Sequence, residues 1–594
     1  MTQKSTKKSF LVTTALEETW GVDEEVIFLG EWCKLYDRSH IWETRQHYTL
    51  TYNWDDRSQL YSDSEYLRNL YEKILPILSA KLNEIHGTSH TDRYWRILLG
   101  VWLGFFLQIL FQRWSSITNA TKIFQPTDTI LLTDKVNCLI PNDMTDFVNK
   151  MVGDRWNHYI CGRILQYQGK VNCVYLDRDI DSEDTNPHIE KSLGTIKTFL
   201  LKTWNLCMTP FVKSKDLFFI STYLPPIDEL KLSLRFRQAP KFNKSAPVPQ
   251  TISIDEWRRW HLDNSCRTEF ESFIREILPS QIPTAYLEGY NHLIKQSNSM
   301  GWPERPKLIF TSNSHIYDDL VKSWIASKVE LCSSLVLGQH GGGSFHALNF
   351  QVEHEFDICD RYLSPGEGNT WQPKVIDVGQ LFARKWESNS EGIGLLILLG
   401  VPRYSYCITS TVQSDDFKHY LAAQMRFMAL LPSSIQDSFL VRLRREDYRW
   451  NMRKRWHDRF PNQVIDDGKQ KIHNLYARSK IIVCTYAATT FNETMAANAP
   501  TVIFWDPKYQ QLHESSTPYF DELSRVGVFH ETPESAAAHI SMIWDNIDAW
   551  WESVDVQNIR KLYCHRYANG SAKVLENVGD ALCKVLAESG DKKL

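Results

Sequence analysis

The chain has 594 residues, enough for two or more domains, with 43% hydrophobic and 23% charged residues and a net charge of −4. That balance is the composition of a globular protein, and it excludes bulk nucleic-acid binding, which needs a basic face. The twelve Cys are scattered without a C-x-x-C pair, and several sit in apolar runs (Cys173, Cys332, Cys484), so neither a disulfide framework nor a zinc site is expected.

The N-terminus (MTQKSTKKSFLVTTA) is basic but lacks a sustained apolar core, and no signal peptide is expected. Ser9 to Thr14 and Val26 to Gly30 read as strands. Residues 64–121 are rich in helix formers and end in Ile97 to Gln112 (ILLGVWLGFFLQILFQ), an uncharged run flanked by arginines. It is shorter than the roughly 20 residues of a spanning helix and is expected inside the protein. Asn137 to Ile140, Asn172 to Leu176 and Leu217 to Tyr223 are expected to be short strands. Pro225 to Gln250 is Pro- and Lys-rich and reads as a flexible surface segment.

A clear alternation follows: strand Leu308 to Thr311, helix Ile316 to Lys328, strand Ser334 to Leu337, then shorter strands near Ile358 to Leu363 and Val375 to Val378. After a polar break at Glu387 to Glu391 a second alternation begins. Its strands are Gly394 to Leu399, Phe439 to Leu443, Lys480 to Thr485, Thr501 to Trp505 and Gly527 to His530, with helices between them and a terminal helix from Asp555. The expected class is α/β: two Rossmann-like domains facing across a cleft, with helical insertions in the N-terminal half. The expected partition is 1–387, 388–560 and a helical tail at 561–594.

Four stretches carry candidate chemistry. In the first, Ser479 to Asp506, a buried strand runs into the small-residue turn Tyr486 to Thr490 (YAATT) and then a helix. Thr489 and Thr490 lie near the helix N-terminus, where free N–H groups attract anions, and either fits an N-cap. Glu493 falls in the first turn, where it can cap the helix or accept from a ribose or sugar hydroxyl. The second is the loop Gly338 to Gly343 (GQHGGG), whose glycines allow a ligand close to the backbone at Gly338, Gln339, Gly341 and Gly342. His340 in its middle fits an acid, a base or a phosphate donor. The third is Val441 to Asp447 (VRLRRED). Alternation points Arg442 and Arg444 the same way, toward a phosphate or an acidic sugar. Gly400 ends the preceding strand. The fourth is a set of carboxylates after the first two strands, Glu17, Glu18 and Glu31, candidates for a general base. Two patterns are discounted. Asp177 to Asp184 contains D-x-D but continues as a polar loop, and His346, Glu353, His354 and Glu355 match no zinc spacing.

FLVTTALEETW, IFLGEWCKLYDR, YWRILLGVWL, GQHGGG and TYAATTFNETMAANAPTVIFWDPKY occur in this order. In them the chain resembles a family of transferases found in bacterial surface-polysaccharide gene clusters, known from leptospires among others. Its C-terminal half is similar, more loosely, to the donor half of GT-B glycosyltransferases. The resemblance implies transfer of a sugar from a nucleotide-activated donor, such as a CMP-linked acidic sugar, to a surface-polysaccharide or lipopolysaccharide glycan. It implies donor contacts from Gly338, Gln339, Gly341, Gly342, Gly400, Arg442, Arg444, Tyr486, Thr489, Thr490 and Glu493, and catalysis by His340 with one of Glu17, Glu18 and Glu31. It implies no cofactor, no metal and no nucleic acid. The partners are a nucleotide-activated sugar and a glycan or lipid-linked glycan acceptor, and the location is cytoplasmic, with peripheral contact at the inner membrane. A polyol-phosphate transferase, a sugar-nucleotide epimerase and a non-catalytic glycan-binding protein are the alternatives on this fold. One departure stands out: Arg444, Arg445 and Glu446 replace the YPHD-like or HP-like run expected after the donor strand.

Overall fold

The computed structural model describes residues 8–591 except 23, 134–138, 178–202, 264–265, 343–345, 367–371, 382–385, 387–388 and 390. Among these residues the strands form three sheets, each parallel throughout. The first is ordered β3-β2-β1-β4-β5, from Ser9–Val12 (β1), Glu25–Phe28 (β2), His47–Thr49 (β3), Asp128–Leu132 (β4) and Asn172–Leu176 (β5). The second is β10-β9-β8-β7-β6, from Phe218–Phe219 (β6), Leu308–Thr311 (β7), Ser334–Gly338 (β8), Arg361–Ser364 (β9) and Val375–Asp377 (β10). The third is β13-β12-β11-β14-β15-β16, from Ile393–Ile397 (β11), Phe439–Arg442 (β12), Val464–Asp466 (β13), Ser479–Cys484 (β14), Thr501–Phe504 (β15) and Phe529–His530 (β16). Strands buried on both faces read as near-continuous apolar runs, which is why β7, β8, β14 and β15 are visible in the sequence.

The expected α/β class is what the structure shows. The N-terminal half holds two sheets rather than one, and the second and third face each other across the main cavity. The helix Val554–Tyr567 runs through the expected 560/561 boundary. The helix Val574–Asp591 then returns to the second sheet, where Val578, Ala581, Leu582 and Val585 join a buried cluster with Leu308, Phe310 and Val336.

The uncharged run at 97–112 lies within the helix Asp92–Phe124, which is long and apolar enough to cross a membrane, with 89% of its apolar window buried inside the protein. It is the central core helix, packed against the helices Arg57–His86, Asp154–Gln168 and Asp319–Glu330. Two local expectations are corrected. The stretch 225–250 begins with the helix Pro226–Arg235, because proline is tolerated in a first helical turn. Of the strand expected at 137–140, residues 137 and 138 lie outside the described set, and Leu139 and Ile140 are not in a strand.

A buried polar junction ties the first sheet to the third. Asp154 accepts from Arg403 (2.6 Å), Arg449 (2.7 Å), Tyr404 and the Ala15 amide. Burial alone would raise the Asp154 carboxyl, but Arg403, Tyr404 and Arg449 hold it below the ordinary carboxylate range. Nearby, Arg113 donates to Asn157 and to the Ser405 carbonyl.

His346 sits wholly buried between the second and third sheets, stacked on Tyr563 with its Nε2 3.1 Å from the phenol oxygen. Burial pushes its pKa down to about 3. The unfolded chain therefore binds a proton that the folded chain refuses between the ordinary value of 6.5 and about 3, so stability rises with pH through that window and is complete above it. His346→Phe is expected to lower the slope of stability against pH between 4 and 6 by about 1.4 kcal/mol per pH unit, read by denaturant titrations. An unchanged slope would mean that another group carries the acid sensitivity.

Candidate active site

The site is the cavity of about 500 Å³ between the C-terminal ends of the second and third sheets. From the second sheet come Tyr223, Leu224, Gln339, His340, Gly341, Gly342, Leu363, Pro365, Gln380 and Leu381. From the third come Thr489, Asn492 and Glu493. Parallel strands all deliver their following loops to one edge, so the turn after β8 and the turn after β14 meet head on.

The meeting is backbone to helix. β14 ends at Cys484, and the helix Thr489–Ala496 starts five residues later. Its N-cap is Ala488, with no side-chain cap, so neither threonine plays the expected capping role. Thr489 Oγ1 instead accepts the Gly342 amide at 3.0 Å across the cleft. Gly341 has φ +75°, a region that favours glycine, and a Cβ there would lie 2.4 Å from Thr489 Oγ1. A Cβ on Gly342 would lie 2.7 Å from Asn492 Nδ2 and 2.9 Å from the Ala488 carbonyl. Gln339 is buried and pins the loop, donating to the Gly341 carbonyl at 2.8 Å and accepting from Ser364. Gly338 lies beneath the loop, where a Cβ would strike Ser312 Oγ. Gly343 lies outside the described residues.

His340 lines the cavity with Nδ1 2.5 Å from the Tyr223 hydroxyl. Its pKa is lowered by burial; nearby Glu355 opposes this and His315 adds to it. Glu493 is half-buried, with the Tyr476 hydroxyl 3.4 Å from its carboxylate. A glycine loop, a helix N-terminus, an imidazole and a carboxylate thus share one cavity, a set that can seat an anionic group beside hydroxyls.

The other expected residues lie elsewhere. Thr490 and Tyr486 sit behind the helix start, 3.5 Å apart through their hydroxyls, and do not line the cavity. Arg442 is paired with Asp466, its register partner on β13. Arg444 is half-exposed, with Nε 3.2 Å from Glu446, and its stem lies over Gly400, where a Cβ would stand 2.5 Å from Arg444 Cδ. Arg444 does not line the cavity. Glu17 makes a two-point pair with Arg38 (2.6 and 2.7 Å). Glu18 is beside it, exposed, in the turn Glu17–Thr19. Glu31 pairs with Lys34 (2.9 Å) and Lys418 (3.1 Å); burial raises its pKa, but these cations bring it below the ordinary value. All three belong to the edge of the first sheet, and none lines the cavity. The carboxylates expected to supply a base thus stand on the first sheet, apart from this cavity.

Tyr223, Leu224, Leu363, Pro365, Gln380, Leu381 and Asn492 were not indicated by the sequence. Asn492, inside FNETMAAN, had a signal: one helical turn from Thr489, it shares that face. Among the described residues no group of three His, Cys, Asp or Glu could hold a metal ion.

Two parallel sheets opposed across a cavity at their C-terminal ends define an α/β protein with its candidate site at the strand ends. The chain belongs to the LIC12162 family of transferases, whose family model matches residues 9–582. No curated protein matches it. Among solved structures it is similar to a single-substitution variant of the wall teichoic acid polymerase TagF soaked with CDPG, at 10% identity over 66% of this chain and 96% of that one, with a TM-score of 0.32. It is similar to MurG of Acinetobacter baumannii at 8% identity over 62% and 99% of the two chains, TM-score 0.32. It is also similar to the pneumococcal O-GlcNAc transferase GtfA at 11% identity over 50% and 59%, TM-score 0.32.

Proposed function

We propose that the protein is a glycosyltransferase that takes a sugar from a nucleotide-activated donor and places it on a surface-polysaccharide glycan, free or lipid-linked. The observation that carries this reading is the close approach of the glycine loop to the helix Thr489–Ala496, with Gly342 bonded to Thr489 at 3.0 Å. The Gly341 region and the helix start present amide donors at one end of the cavity, the arrangement that neutralises a leaving phosphate without a metal. Glu493 stands one turn on, placed for a ribose or sugar hydroxyl. His340 faces the same space from the second sheet. The acceptor enters along the apolar wall of Leu224, Leu363, Pro365 and Leu381. The cytoplasmic face of the inner membrane is the workplace this acceptor class requires.

The test is a thermal-stability screen with CMP, CDP, UDP and GDP. The matching nucleotide at 100 times its Kd is expected to add about 2.7 kcal/mol of stability by mass action. If none of the four shifts the transition, the reading fails, and a non-catalytic glycan-binding role takes its place.

A further inference from the structure

The loop after β6 holds two non-glycine residues in the left-handed region, Ser221 at φ +48° and Tyr223 at φ +63°. Such conformations persist only where the surroundings over-determine them, and they collect at functional sites. Here the surroundings do so. The Ser312 amide donates to the Ser221 carbonyl (3.0 Å), and Ser312 Oγ donates to the Thr222 carbonyl (3.0 Å). Ser314 Oγ donates to Ser221 Oγ (2.9 Å), and Thr222 Oγ1 to Glu229 (2.6 Å). β6, β7 and β8 are neighbours in the sheet, so the turns after them carry Tyr223, Ser312 and His340 side by side. The product of all this constraint is one contact: the Tyr223 hydroxyl 2.5 Å from His340 Nδ1, with ring centroids 5.1 Å apart.

That contact decides what His340 can do. A neutral imidazole carries one N–H, and the hydrogen bond made by one nitrogen fixes the state of the other. Burial raises the Tyr223 phenol, so it keeps its proton. A phenol is a good donor and a weak acceptor, and the unprotonated imidazole nitrogen is a strong acceptor. A base histidine is normally held the opposite way, with Nδ1–H donating to a carboxylate or carbonyl. Among the described residues His340 Nε2 has no hydrogen-bond partner.

We infer that Tyr223 donates to His340 Nδ1 and holds the ring as its Nε2–H tautomer, so that His340 serves the cleft as a hydrogen-bond donor to an anionic oxygen rather than as a proton acceptor. Tyr223 is then a positioning residue, and the oxygen is that of a nucleoside diphosphate; the second clause rests on the function proposed above, the first does not. Besides Tyr223, the titratable groups that bear on His340 are Glu355 and His315, which pair with each other at 3.1 Å, and Glu493, which lines the same cavity from the third sheet.

The experiment is a two-bond ¹⁵N–¹H correlation spectrum of the full chain at pH 8, with the His340 signals assigned by their loss in His340→Asn. The expected result is a hydrogen-bonded, unprotonated Nδ1 and a protonated Nε2, with Tyr223→Phe moving Nδ1 toward the shift of an unbonded nitrogen. A protonated Nδ1 in the wild type overturns the assignment, as does an Nδ1 shift that Tyr223→Phe leaves in place. In a parallel titration with the nucleoside diphosphate found in the screen, His340→Ala is expected to raise Kd about tenfold, the loss of one hydrogen bond to a charged group. His340→Asn, which keeps an N–H, is expected to recover part of that loss; equal Kd for wild type and both variants overturns the donor role. Failure of every nucleotide to bind the wild type would remove the proposed function and leave the tautomer to be decided by the spectrum.

Discussion

Gly341→Val is expected to abolish tight nucleotide binding while leaving the fold intact. The position has φ +75°, where a residue with a Cβ loses roughly 1–2 kcal/mol, and a β-branched one more. The added Cβ would also stand 2.4 Å from Thr489 Oγ1, so the loop must leave the helix start. The Gly342–Thr489 bond breaks and the loop no longer meets the helix start. The combined loss is about 3 kcal/mol, a rise in Kd of roughly 100-fold. The loop lies at the cavity, so circular dichroism should not change, and the unliganded protein should lose only the strain of one left-handed residue, about 1–2 kcal/mol. Gly87→Ala is the control. It too has positive φ (+64°), at the C-cap of the helix Arg57–His86, but its Cβ would meet nothing within 4 Å. It should lower stability by about 1 kcal/mol and leave the nucleotide Kd alone.

Asp154→Ala is expected to give the largest loss of stability among single substitutions at buried ion pairs. Its carboxylate is the shared partner of Arg403 and Arg449, and Arg403 is 2% exposed. Removing it leaves a buried guanidinium without its counter-charge, which costs about 3–5 kcal/mol. The Tyr404 hydroxyl loses its acceptor in the same step. The pH dependence has a definite sign. The folded pKa is depressed, so the contribution is complete above the ordinary value of 3.8 and is lost only as pH falls below it. Denaturant titrations at pH 7 should show the loss in full, and Asp154→Ala/Arg403→Ala should lose less than the sum of the two single substitutions. Additive losses would mean that the pair does not act as a unit.

The parts of the site that could be read from the sequence are those whose cause is local. A β-branched run, a small-residue turn and a helix announce Ser479–Ala496, and clustered glycines announce a close backbone approach at Gly341 and Gly342. The parts that could not be read depend on register and on which sheet edges meet. Alternation alone puts Arg442 beside Arg444, but β12 lies in register with β13, and Asp466 takes Arg442. Glu17 and Glu31 do follow strands, yet their strands belong to a separate first sheet, and cations close at hand neutralise them. Tyr223 sits at the head of a Pro-rich stretch, and nothing in Ser-Thr-Tyr announces two left-handed residues. Ser312 and Ser314, which follow β7 and hold that turn, lie about ninety positions further on.

The central claim is that phosphate binds where the glycine loop meets the helix Thr489–Ala496. Amide hydrogen exchange, with and without the nucleotide chosen by the thermal screen, tests it most directly. New protection is expected at residues 339–342 and 489–493 and nowhere else. Protection appearing instead at 13–20 and 30–34, on the edge of the first sheet that carries Glu17 and Glu31, with the glycine loop unchanged, would contradict it.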